Sequence, residues 1–558
     1  MVRKIFKNQS LLIFLIFALG FFLRTYSLGE VPVSMHRDEA FLTYNAYSIL
    51  QTGKDISGNL LPIHLESFLF SPGGYSYFSI PPIALFGLSE FSARLAAALF
   101  GSLTVVVIYM ISLELFRNRS NKNAISLFSA FFLATMPWHI SLSRVAAEGT
   151  LVVFFISLGV FSYLRYLRGN KIMLVLFSFV SFGINLFIYQ APRAFLPLFI
   201  PFLAITLSSL RKFAVDKVQI TLYLLLIIMP VIFILLSPNL STRIQNLNIF
   251  QHPETKILIR EQLVNDTVQG VPQVIARTFH NKVSGYSLLF LNNYFSHLSY
   301  DFLFSDKGFP DRFRIPNMGL LYIYQLPLLI IAFFMLTNKN PRISLFLFGW
   351  IGISIFGSAL TFDDIPNQQR TLTAAPALAI LSGVGALEVL SWARQKKYKL
   401  VTIGLFSLII LFSFFHFLIQ YFVQGKVYRT WYRQDGYKQL VREINELLPS
   451  YDKAVITSRE TGSTILFLFY LKYDPKNFQE ETKDLNTKES DHISFYKYEL
   501  TDEECPLRID AKSKKLTGRK NILYVNSSLC NKEIEGAILI SEVYRSGGSG
   551  VYRIYKVE

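Results

Sequence analysis

Val33-Ser34-Met35-His36-Arg37-Asp38-Glu39-Ala40-Phe41-Leu42 follows closely on an apolar run, residues 11–28, that is long enough to cross a bilayer. Carboxylates just past a membrane exit are where chemistry is to be sought first in an otherwise apolar chain. Beyond the acids, Phe41, Tyr44, Tyr47, Ile49 and Leu50 recur at helix-like spacing. The pattern predicts an amphipathic helix lying in the membrane interface, with Asp38 and Glu39 in a first turn whose dipole suits negative charge. The plain alternative is a capping pair with no further role.

Composition extends that reading to the whole chain. Of 558 residues, 52% are hydrophobic and only 17% are charged, against roughly 25% charged in ordinary soluble domains. An all-α polytopic membrane protein is expected, with membrane lipids around it. The net charge of +17 belongs first to cytoplasmic connectors in a chain of this kind, and no nucleic-acid partner is expected. The first apolar segment follows Arg3, Lys4 and Lys7 and lacks a small-residue cleavage site, so it reads as a retained signal-anchor.

Apolar stretches of spanning length recur at 11–29, 93–116, 124–141, 150–167, 172–189, 191–209, 219–237, 317–337, 343–361, 371–391 and 400–420. With the N-terminus inside, the basic connectors all fall on the cytoplasmic side: Arg117/Arg119/Lys122, Arg165/Arg168/Lys171, Arg211/Lys212/Lys217, Lys339/Arg342 and Arg394/Lys396/Lys397/Lys399. The first loop, 30–92, and a long loop, 238–316, then lie outside. The stretch 75–88 is short and broken by Pro81 and Pro82, so it reads as interfacial or re-entrant. The later part of the long loop is amphipathic and aromatic, as in a flap on the membrane face. Domain boundaries follow: 1–424 is the membrane domain, and 425–558 is a small extracytoplasmic α/β domain. Strands are expected there at 454–457, 521–525, 537–540 and 551–557, with 465–470 either strand or helix. Cys505 and Cys530 both lie in this part and could pair in an oxidising compartment.

Several other polar groups share the outer layer in this topology. Arg144 and Glu148 sit at helical spacing where the third span exits, and an ion pair between them is one ordinary reading. Arg193 stands at membrane depth beside Pro192, and Arg370 in the connector 362–371 is in the same layer. An arginine at that depth is costly unless it snorkels or meets an anion. Carboxylates and arginines on one membrane face are what transfer of a group from a lipid phosphate requires. A carboxylate can deprotonate an acceptor hydroxyl, and arginines can hold the departing phosphate in bidentate fashion. Neither a phosphate-cradling nucleotide loop nor a dinucleotide fingerprint is visible, and a lipid-bound donor needs neither.

The chain here resembles the GT-C glycosyltransferases, specifically the protein O-mannosyltransferase and lipid A aminoarabinose transferase group. The resemblance rests on Arg37-Asp38-Glu39-Ala40 after an N-terminal span, on Ile80-Pro81-Pro82 leading through Phe86-Gly87 to Phe91 and Arg94, on residues 143–148 and, more loosely, on 366–376. It covers about the first 210 residues by motif and the remainder by layout. It implies that Asp38 is the catalytic general base, Glu39 its acidic neighbour, Glu148 a second loop carboxylate near the site, and Arg193 a group near the lipid phosphate. The family's usual Glu-Lys-Pro is replaced by Phe70-Ser71-Pro72. Arg193, Arg370, Arg144 and Lys54 are then the candidates for phosphate contact, and Glu66 could stand in for the lost acid.

The function expected is transfer, with inversion, of a sugar from a polyprenyl-phosphate donor to a protein, lipid or glycan acceptor on the outer face. No cofactor is required, although Asp38, Glu39 and Glu148 offer oxygen ligands to a divalent metal. A transporter or flippase of a lipid-linked glycan would use the same charges to line a path, but no matching halves are visible. A non-catalytic assembly protein would not depend on Asp38 at all.

Overall fold

The computed structural model describes residues 8–66, 71–169, 171–207, 217–236, 248–394, 399–485 and 492–558. Arg211, Lys212, Lys396 and Lys397, which carry part of the connector charge, lie outside the described residues, as does Phe70. The protein is mostly helical, with apolar helices and a small C-terminal sheet. Among the described residues five helices are long and apolar enough to cross a membrane. A bent pair, Lys122–Thr135 with Pro137–Ser143, makes a sixth, and five shorter apolar helices accompany them. Each apolar segment expected from the sequence coincides with one of these. One start differs: the helix expected from 317 begins at Gln325. Residues before it run against the preceding loop, where a Cβ on Gly319 would meet the Phe304 backbone at 2.3 Å, and Leu321 N donates to Leu303 O.

The chain divides into two compact units. One comprises Met1–Arg24, Phe100–Leu142 and Gly149–Phe417; the other comprises Thr25–Leu99, Ser143–Glu148 and Leu418–Glu558. In the first, helices approach closely through small residues. A Cβ on Gly385 would lie 2.1 Å from Leu328 O, and one on Gly383 2.7 Å from Ser129 N. The bent pair turns through 54° at Pro137, which has no N–H to offer the carbonyl of Leu133. Trp138 N donates to Leu320 O, so Ala134 O also loses its helical partner. Arg24, fully buried, takes up both: its guanidinium donates to Leu133 O at 3.1 Å and Ala134 O at 3.0 Å, and meets His139 Nδ1 at 2.9 Å. A buried guanidinium thus satisfies the backbone that the proline disrupts.

The second unit contains the loop after the first apolar helix and the C-terminal domain. Its sheet has five strands: β1 Lys453–Thr457, β2 Tyr498–Thr501, β3 Ile522–Ser527, β4 Ala537–Tyr544 and β5 Gly550–Val557. They run in the order β2-β1-β3-β5-β4, with β1 parallel to β2 and β3, and β5 antiparallel to β3 and β4. The four expected strands are present, and β2 is additional. Residues 463–471 form a helix, buried from Ser463 to Phe469, which explains an apolar run without polar alternation. Helix Tyr437–Leu447 buries Tyr437, Leu440, Val441 and Ile444, an i, i+3, i+4, i+7 stripe. Cys505 and Cys530 form a disulfide.

Two elements of the first loop differ in setting from expectation. Helix Arg37–Thr52 is buried almost continuously from Glu39 to Ala46 and packs on helices Gly74–Phe86, Ser463–Leu471 and Pro475–Glu481. It is enclosed by protein, so its apolar side chains have protein partners where a lipid interface was expected. Helix Gly74–Phe86, at 13 residues, is about 20 Å long and too short to span.

Candidate active site

The helix bearing Asp38 starts at His36, whose side chain accepts from Asp38 N at 3.1 Å, while Glu39 Oε1 lies 3.5 Å from His36 N in a reciprocal capping box. Glu39 does more than cap. Its other oxygen accepts from Arg94 Nε at 3.2 Å and from Ala146 N at 2.8 Å. The Arg94 side chain is 0% exposed and that of Glu39 4%. Arg94 also donates to Leu28 O and Pro32 O and to Ser34 O, so this one pair fixes the chain entering the helix and the turn at 143–148. Arg144 reinforces it, donating to Tyr26 O at 2.7 Å and Val31 O at 2.8 Å with its guanidinium over the Phe422 ring. Asp38 stands beside this frame, its side chain 34% exposed and 3.7 Å from Arg37 Nε.

The other predicted groups of this unit are nearby in the fold of the loop. Glu148 accepts from Ser71 Oγ at 3.2 Å, so the serine in the position of the family's lysine touches the second loop carboxylate. Lys54 is exposed in the turn after the Asp38 helix. The C-terminal domain supplies contacts that no local pattern announced. Asp435 accepts from Ser34 Oγ at 2.7 Å, Tyr470 Oη from Met35 N at 3.1 Å, and Gln434 Oε1 from Arg37 N at 2.7 Å. Three of the four residues before Asp38 are therefore tied down by residues about 400 positions later in the chain. Arg94 was legible only as part of a motif; its position one turn into an apolar run was the signal.

Arg193 and Arg370 belong to the helical unit. Arg193 donates to Leu186 O through Nε and Nη2 across the break at Pro192. Arg370 donates to Thr361 Oγ1 at 2.7 Å and Asp363 O at 2.9 Å, and pairs with the Asp363 carboxylate at 3.2 Å. One small pocket is lined by Arg370, Gly149 and Thr373 together with Tyr189, Ala191 and Pro192, so the two turns that carry these arginines meet around it. His297 braces the same connector. Its Nδ1–H donates to Asn293 O at 2.6 Å, and Nε2 accepts from Asn367 N at 2.9 Å and meets Ser358 Oγ at 2.9 Å. Burial pushes its pKa down to about 4, in keeping with a neutral ring that must accept at Nε2. Burial likewise raises the Asp364 carboxyl, with Arg370 opposing.

Among the described residues no three His, Cys, Asp or Glu side chains converge as metal ligands. Of the set Asp38, Glu39 and Glu148, Glu39 already accepts from Arg94 Nε and Ala146 N.

Residues 74–235 match the family described as dolichyl-phosphate-mannose-protein mannosyltransferase. The match includes Arg94, Arg144, Glu148 and Arg193 but begins after Asp38. No curated protein matches the chain. The fold is similar to that of ArnT from Cupriavidus metallidurans bound to undecaprenyl phosphate, at 12% identity, covering 98% of this chain and 97% of that one, with a TM-score of 0.52. The oligosaccharyltransferase AglB from Archaeoglobus fulgidus, in complex with an inhibitory peptide and a dolichol-phosphate, is similar over 83% of this chain and 64% of its own, at 12% identity and a TM-score of 0.48. The resemblance to the GT-C glycosyltransferases read in the sequence is upheld. It holds by family over residues 74–235 and by fold over nearly the whole chain, C-terminal domain included. The protein is accordingly a multi-pass membrane protein.

Proposed function

We propose that this chain is an inverting GT-C glycosyltransferase that moves a sugar from a polyprenyl-phosphate to an acceptor hydroxyl on the outer face of the membrane. Asp38 takes the acceptor proton as the oxygen attacks the anomeric carbon, and the C–O bond to the lipid phosphate breaks on the opposite side. Arg193 and Arg370 neutralise the departing phosphate, where a guanidinium fork matches two phosphate oxygens. Glu39 is a positioning residue in this reading, and Arg144 holds backbone. The eleven apolar helices would all span, with the N-terminus cytoplasmic and residues 425–558 extracytoplasmic; the bias of basic connectors supports that orientation.

The observation that carries the proposal is the clamp on the Asp38 helix. The Glu39–Arg94–Ala146 frame and three hydrogen bonds from the C-terminal domain fix the helix start, while Asp38 itself keeps a third of its side chain exposed. Such rigidity around one accessible carboxylate is what general-base positioning asks for. The test is Asp38→Asn, which preserves shape. With purified protein and lipid-linked sugars extracted from host membranes, transfer should fall by about 100-fold or more with the melting temperature unchanged. Transfer near the wild-type rate would remove Asp38 from the mechanism.

A further inference from the structure

The unit that carries Asp38 also holds a cleft of about 760 Å³ that the chemistry above leaves unused. One wall is the chain leading to Asp38, with Val33, Ser34 and Glu90. The other is the C-terminal domain, with the outward face of helix Tyr437–Leu447 and the end of strand β4 at Tyr544, Arg545 and Ser546. We propose that this cleft binds a saccharide chain, the glycan of the acceptor, an assignment that rests on the reading of Asp38 as the base.

Charge excludes the simplest alternatives. The lining mixes the carboxylates Glu30, Glu90, Asp435 and Glu446 with the cations Lys438, Arg442 and Arg545, so neither a polyanion nor a polycation meets a field of one sign. Most of these groups already have fixed partners. Glu90 accepts from Lys438 Nζ at 2.7 Å and from Tyr470 Oη at 3.2 Å; Asp435 accepts from Ser34 and from Ser546 N at 2.6 Å; Arg545 pairs with Glu460. Fixed ion pairs offer donors and acceptors side by side, and a hydroxyl, which both donates and accepts, uses both.

Spacing points the same way. Arg442, Asn445 and Glu446 line the cleft from one helix at i, i+3 and i+4, placing donor and acceptor roughly 5–6 Å apart, close to the length of one sugar ring. Tyr544, a residue 49% exposed, and Tyr470 add flat faces that are apolar in the middle and polar at the tip, suited to the C–H face of a pyranose. A peptide would ask for apolar side-chain pockets, and the lining supplies little beyond Val33, Val441 and Leu471. The cleft borders Ser34, Asp435 and Tyr470, which tie the chain before Asp38. An occupant would thus rest on the same contacts that position the base.

The test uses the full-length protein in detergent on an array of immobilised neutral and charged oligosaccharides, with a peptide array beside it and no donor present. At least one glycan class should be retained. Retention should drop at least tenfold in Arg442→Ala and in Tyr544→Ala, both surface changes whose folding is checked by melting temperature, and should be unchanged in Asp38→Asn. No glycan retained by the wild type, retention indifferent to both cleft variants, or retention of peptides in their place would each overturn the proposal. Should Asp38→Asn transfer normally while Arg442→Ala still loses glycan, the reading of Asp38 fails and the cleft assignment stands as glycan binding alone.

Discussion

Two arginine–carboxylate pairs, one in each compact unit, are opposite in kind. Arg94 and Glu39 are enclosed, with side chains 0% and 4% exposed, and every arm of the guanidinium holds backbone or carboxylate. Arg370 and Asp363 meet at the edge of a pocket, and the Asp363 side chain is 49% exposed. A buried, saturated pair cannot release its cation without leaving a charge stranded. A pair with a solvated carboxylate can exchange that carboxylate for a phosphate at small cost. The difference separates charges that shape the site from charges that can serve a substrate.

The comparison breaks most readily at Arg94. Arg94→Met leaves Glu39 buried without its cation and three carbonyls without a donor, so unfolding of the purified protein should be eased by about 3–5 kcal/mol; a wild-type melting temperature would show that the pair is not a frame. At Arg370 the expected loss is in binding. If the proposed function holds, Arg370→Ala should weaken binding of a polyprenyl-phosphate analogue by about 2–3 kcal/mol, and Arg370→Lys by less, whereas unchanged affinity in a titration would leave the arginine a bystander.

His297 sharpens the contrast because it holds the connector of Arg370 and is neutral there. Its folded pKa, about 4, lies below the unfolded value of about 6.5. The stabilisation is therefore complete above pH 6.5 and is lost as pH falls toward 4. Between pH 7.5 and pH 5 it should shrink by about 2 kcal/mol, and His297→Gln should show a melting profile lacking that component. The smallest effect is expected at Asp363→Asn, under about 1 kcal/mol in stability, with binding of the phosphate lipid retained or improved.

Periodicity and hydropathy made the helical framework legible, because a run of apolar side chains states its own burial. The four anticipated strands of the C-terminal domain were legible for the same reason. Strand β2 was not: Tyr498-Glu499-Leu500-Thr501 is four residues long and half polar, and its pairing to β1 is set from a distance. Of the site, Asp38 and Glu39 stood out by position, but the division of labour between them did not. That division depends on Arg94 and on Ala146 N, and the ties from Gln434, Asp435 and Tyr470 depend on a domain that begins hundreds of residues later. Long-range partners of this sort leave no local spacing to read. Cys505 and Cys530, by contrast, needed only proximity, and the disulfide is present.

The guanidinium that repairs the broken helix also ties together segments more than a hundred residues apart. Arg24 sits in helix Gln9–Thr25, where it donates to Gly20 O at 2.9 Å, while further partners lie 109, 110 and 115 positions downstream. These contacts beyond its own helix therefore form only when residues 133–139 pack against it, so docking of this helix and repair of the break are one event.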